Sequence, residues 1–170
     1  MRILSLCAFF VVAFSPALFA FNTAEWTEKR EALNCEAERL HSVYSNCLKR
    51  TDAPAEDVTV PLEKHEDGSL KTVVFAKRAR YYLNEGIVFA EDVVVRKFDK
   101  DGEENSRIEA KSCVIDRFTK SGWAEGPASV KHHKTLMKGE DVYFSSPENY
   151  VKTYRRTDVF STDLKVGGLR

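Results

Sequence analysis

Few residues in this chain stand in a pattern that could do chemistry. His132 and His133 are adjacent. On a strand such neighbours point to opposite faces, so the pair alone does not close on one metal ion. Asp99-Lys100-Asp101-Gly102-Glu103 resembles a calcium loop but lacks the third Asp and the bidentate Glu. The same residues make an ordinary hairpin turn. Lys77-Arg78 and Arg155-Arg156 could meet the phosphates of a lipid head group, or could form a solvated strand face. No G-x-S-x-G elbow, phosphate-binding glycine loop or H-E-x-x-H is present. The sequence therefore offers no constellation for an enzyme and asks for neither a cofactor nor a metal.

Cys7, Cys35, Cys47 and Cys113 show no C-x-x-C spacing. Cys35 and Cys47 are twelve residues apart on an expected helix, roughly 18 Å, too far to bridge. Cys113 reads as a small core residue.

Residues 3–21 carry no charge, follow Arg2, and end in Pro16 and the small residues Ala17 and Ala20. That order is the order of an export signal. Cleaved, it gives a periplasmic protein; retained, its apolar length just spans a bilayer core and gives an inner-membrane anchor. Lys plus Arg and Asp plus Glu are 26 each among 170 residues. Such a balance excludes a chain built mainly to bind nucleic acid.

Three segments follow: residues 1–20 as signal peptide or anchor, 21–57 as helix and linker, and 58–170 as a β domain. Ala24 to Lys49 reads as a helix capped by Asn22 or Thr23, with Pro54 beyond its end. Trp26, Leu33, Leu40 and Cys47 recur every seven residues, with Ala37 and Tyr44 between them. The stripe suits packing on the following domain or a short coiled-coil contact with an inner-membrane partner. From Val58 the apolar period becomes two, with turns at 66–69, 84–86 and 99–105. Strands are expected near 58–62, 73–82, 87–98, 108–118, 123–132, 136–145, 150–154 and 159–164, which makes the domain all-β.

The strands repeat. Val74-x-Ala76-x-x-Ala79-x-Tyr81 returns 34 residues later as Ile108-x-Ala110-x-x-Cys113-x-Ile115, and 29 later again as Met137-x-Gly139-x-x-Val142-x-Phe144. The gap of three would reverse the inward face of each strand unless a β-bulge restored it. Phe89-Ala90-Glu91-Asp92 returns as Trp123-Ala124-Glu125-Gly126. Stacked modules of this kind leave end strands with open edges.

The segments V-F-A-K-R-A-R-Y-Y, F-A-E-D-V-V-V, I-E-A-K-S-C-V-I-D, W-A-E-G-P-A-S-V and M-K-G-E-D-V-Y-F resemble the OstA-like module of the lipopolysaccharide transport proteins, of LptA or LptC type, over roughly residues 70–164. The return strands depart from that pattern at E-D-V and E-G-P. The resemblance implies a β-jellyroll, a twisted, half-open sandwich of repeated strand pairs with an N-terminal helix. It also implies a role in outer-membrane biogenesis, holding the acyl chains of lipopolysaccharide or another acylated lipid. Its partners would be sister jellyroll components joined end to end through edge strands.

Val74, Ala76, Ala79, Tyr81, Phe89, Ile108, Ile115, Trp123, Met137, Val142 and Phe144 are expected to face inward. There they would either line a groove for acyl chains or fill the closed core of a structural envelope protein.

Overall fold

The computed structural model describes residues 16–161, with side chains from Glu25 onward. The expected export segment therefore lies largely outside the described residues. Among these, no helix is long and apolar enough to cross a membrane. The chain divides into two compact units, residues 1–35 and 36–170.

One helix, α1 (Pro16–Cys47), precedes seven strands: β1 (Ala55–Lys64), β2 (Leu70–Tyr82), β3 (Ile87–Phe98), β4 (Glu104–Asp116), β5 (Ser121–His132), β6 (Thr135–Ser145) and β7 (Tyr150–Ser161). Pro16 stands at the first helical position, where its missing N–H costs nothing. The helix thus starts well before Asn22 and Thr23, which lie inside it rather than capping it. In the first unit the helix carries Trp26 on an exposed position, 68% accessible.

In the second unit, all seven strands form one antiparallel sheet in chain order. β7 runs unbroken across the two short strands expected at 150–154 and 159–164, because Arg156, at φ +24°, bends the strand without ending it.

Such bends recur. Asp57, Asp92, Gly126, Asp141 and Arg156 all have positive φ within their strands. Ladder pairing is interrupted at Ala110/Cys113, Ala124/Pro127 and Gly139/Glu140. Pro127, which has no N–H to donate, sits at one of these interruptions. Asp tolerates the left-handed region better than most residues. At Asp141 the carboxylate also accepts a hydrogen bond from Gly126 N at 2.9 Å and pairs with Arg155. Burial pushes this carboxyl up, but the two partners outweigh it and hold it below the usual range. The bulge anticipated from the repeat is present as one-residue register shifts in the last three ladders, and with these bends it lets both halves of each strand serve one jellyroll interior.

Four rows of side chains face that interior. The outer rows are large: Val60, Val74, Val95, Ile108, Val130, Met137 and Val159 on one side, and Tyr81, Val88, Ile115, Gly122, Phe144 and Val151 on the other. Gly122 is the exception in its row. The two rows flanking the bend are small, rich in Ala and including Gly139 and Cys113. Large side chains there would stop the two halves from closing. Gly122 serves the same end. A Cβ on it would lie 2.3 Å from Phe144 Cζ and 3.0 Å from Val114 O. Gly122→Ala is expected to cost about 1–3 kcal/mol by overpacking, read as a lower midpoint in thermal melts.

The opposite face of the sheet is covered along its α1 side. Ala37, Leu40, Tyr44 and Cys47 are buried. The Tyr44 ring lies 5.4 Å from that of Phe89, and His41 4.9 Å from Trp123. Tyr44 Oη and Ser112 Oγ share a hydrogen bond of 2.7 Å. Arg39 pairs with Glu36 and with buried Asp116, whose other oxygen caps the β4–β5 turn through Phe118 N at 2.8 Å. Strand segments with both faces covered are buried without alternation. Ile87, Val88, Phe89 and Ala90 are four in succession.

Candidate functional site: a lysine-rimmed apolar cavity

The row Val95, Ile108, Val130 and Met137 meets Phe144 and Val151 of the facing half, and between them lies a cavity of about 740 Å³. That volume is of the size that takes a small organic ligand. Its walls follow from register. Val95 pairs with Ile108, Ile108 with Val130, and Val130 with Met137, so the alternation on four strands puts one apolar side chain from each on the same face. The row continues to Val159 on β7, which is exposed.

The mouth is polar and cationic. Lys71, Lys97 and Lys100 line it, with His65, His132 and Asp99. Lys97 Nζ donates to Ser146 O at 3.2 Å and to Asn149 Oδ1. Burial, and then the Lys71 cation, push the Lys97 ammonium down. Burial together with His133 and Lys97 also lowers His132, which favours its neutral form. The arrangement can hold an apolar chain in the interior with an anionic group at the lysines.

One side of the cavity is fastened by a buried polar cluster. Glu63 accepts from Ser146 Oγ and from Thr72 Oγ1 (3.1 Å), and Lys71 and Lys120 stand 3.7 and 3.6 Å from it. Burial opposes the charge, but these partners together hold the Glu63 carboxyl below the usual carboxylate range. The cluster joins the β1–β2 hairpin to the β6–β7 turn.

Of the residues expected to face inward, Val74, Ala76, Ala79, Ile108, Ile115, Val142 and Phe144 form one buried cluster, and Met137 packs against it. Ile108, Met137 and Phe144 line the cavity. Tyr81 lies in register with the inner face but, at the end of β2, is exposed rather than buried in the interior. Phe89 and Trp123 do not face inward. They lie on the opposite face, against Tyr44 and His41 of α1. Their aromatic bulk suggests the interior, but it is the helix that buries them. Val95, Val130, Val151 and the three lysines were not anticipated. Val95 is legible in the alternation Val93-x-Val95, whereas the lysines are gathered only by the fold.

Cys35, Cys47 and Cys113 are free thiols, and burial pushes the Cys47 and Cys113 thiols up. His132 and His133 stack edge to face at 4.4 Å. Among the described residues no group of three or more His, Cys, Asp or Glu side chains could hold a metal ion.

No family model and no curated protein sequence matches the chain. Among solved structures, a distant likeness is to LptH, the LptA-homologous periplasmic component of the conserved lipopolysaccharide transport device from Pseudomonas aeruginosa. It has 10% identity and a TM-score of 0.48, and covers 63% of this chain and 92% of that one.

Proposed function

We propose that this chain is an exported envelope protein that binds an acylated anionic amphiphile, with an acyl chain in the cavity and the head group at Lys71, Lys97 and Lys100. The observation that carries the reading is the continuous apolar wall from Val95 to Met137 opposite Phe144, opening on a lysine-lined mouth. Each methylene buried there contributes about 0.8 kcal/mol, so a chain of ordinary length binds without any catalytic group. Lipopolysaccharide, the ligand implied by the OstA-like strand pattern, fits both requirements. The outer edges of β1 and β7 pair with no described strand. In this reading they offer sites where a sister jellyroll adds a strand.

Met137→Glu places a charge on the cavity wall at a partly buried position. It is expected to weaken binding of a fluorescent polyene fatty acid at least about tenfold, since a buried unpaired charge costs more than the chain gains, while leaving the unfolding midpoint nearly unchanged. Lys100→Gln is expected to weaken a phosphorylated amphiphile but not an uncharged long-chain alcohol. Unaltered affinity in Met137→Glu would overturn the reading.

The alternative, a scaffold protein with a closed interior, draws on the fully buried small rows at Ala90, Ala124 and Val142. In that case wild-type protein takes up no acyl probe, and Met137→Glu changes only its stability.

A further inference from the structure

Three of the most exposed large apolar side chains gather at one end of the residue 36–170 unit. Leu83 in the β2–β3 turn is 74% accessible, Phe118 in the β4–β5 turn 74%, and Leu48 just past α1 57%. Direct contacts tie these three places together. Arg50 pairs with Glu85 at 2.6 Å, Arg117 N donates to Gly86 O at 2.9 Å, and the Phe118 ring stands over Gly86, where an added Cβ would lie 2.2 Å from Phe118 Cε2. Folding leaves these side chains in water although each could have been a polar turn residue.

Charged groups adjoin them. Lys49, Arg50, Arg117 and Arg39 stand with Glu85, paired with Arg50, with Asp52 and Asp116, and with Glu36, which pairs with Arg39 and accepts from Thr119 of the Phe118 turn. Lys49 and Arg117 have no carboxylate partner among the described residues. Buried Asp116 is taken up by Arg39 and by the turn that presents Phe118.

We infer that this end is a docking surface for an anionic lipid bilayer. Leu48, Leu83 and Phe118 enter the acyl boundary, while Lys49 and Arg117 meet the phosphates. Separate apolar side chains on neighbouring turns, two of them next to an unpaired base (Leu48 beside Lys49, Phe118 beside Arg117), fit a fluid layer that closes around each of them, and those two cations fit anionic head groups. None of these residues lines the cavity, so this surface stands or falls apart from ligand binding.

The test uses the full chain carrying photoreactive benzoylphenylalanine in place of Leu83, of Phe118, or of exposed Lys77 on the bend as the control. The probes are vesicles of phosphatidylcholine alone and of an equal mixture with phosphatidylglycerol. Lipid adducts are expected at positions 83 and 118, several-fold above position 77, and more with the anionic mixture. Adding Lys49→Ser and Arg117→Ser is expected to cut the adducts at 118 roughly thirtyfold, the two cations together contributing about 2 kcal/mol near such a surface. Both substitutions are at turn positions, and circular dichroism verifies that the fold is intact. Equal adducts at 77 and 118 would overturn the inference, because tethering by the apolar N-terminal segment alone would give that result. So would adducts at 118 to a second copy of the protein in place of lipid.

Discussion

Glu63→Ala lowers the unfolding free energy by about 3 kcal/mol, the range for removing one member of a buried, charged hydrogen-bonded cluster. The carboxylate holds Ser146, Thr72, Lys71 and Lys120 in one place, and its loss leaves the buried Thr72 and Ser146 hydroxyls with only each other beside a void and takes the anion from two partly exposed lysines. Urea unfolding measures the difference, and an effect within experimental error would mean that water replaces the cluster at no cost. The effect depends on pH in a definite direction. The Glu63 carboxyl ionises below the usual range in the folded chain, against about 4.3 when unfolded. Its charged contribution is therefore complete above about pH 4.3 and lost as the pH falls through the folded value. Wild type and Glu63→Gln should converge in stability in acid and diverge towards neutrality. Hydrogen exchange should also quicken in the β6–β7 turn of Glu63→Ala, because that turn loses a fastening which its own backbone does not replace.

Leu40→Ala has a comparable cost, about 3 kcal/mol, since Leu40 is fully buried on the helix face that carries Tyr44 to Phe89 and His41 to Trp123. Trp26→Ala, at the same heptad position two repeats earlier, should change stability by less than about 0.5 kcal/mol, because Trp26 is exposed. Chemical denaturation of both variants decides it. An equally large loss at Trp26 would show that the whole stripe bears on the fold.

The heptad stripe illustrates how far the sequence alone leads. Trp26, Leu33, Leu40 and Cys47 look alike in spacing, and a period reports which side of a helix is apolar but not over what length it finds a surface. The β region was more legible. A gap of three inside a period of two has few physical solutions, and the register shifts at Ala110/Cys113 and Gly139/Glu140, with the bend at Asp141, are one of them. The inner positions at 74, 76 and 79, at 108 and 115, and at 142 and 144 followed from that gap. Phe89 and Trp123 misled because alternation presumes one wet face. Under α1 both faces are dry, so Ile87-Val88-Phe89-Ala90 is buried throughout, and the unbroken apolar run was the signal for it. The lysines at the mouth come from β2, from β3 and from the turn after it. Nothing in their local spacing marks them, because only the closure of the two halves sets them around one opening.

The order of the strands in the sheet is their order in the chain. Every ladder can form between sequence neighbours with a short loop to close, so the chain has a kinetic route that advances hairpin by hairpin without distant searches. The Glu63–Ser146 contact is different, since 83 residues separate its two ends. It has to wait until the intervening ladders exist. A substitution there should therefore leave the folding rate nearly unchanged and appear as faster unfolding, so that the same seam sets how long the assembled protein lasts.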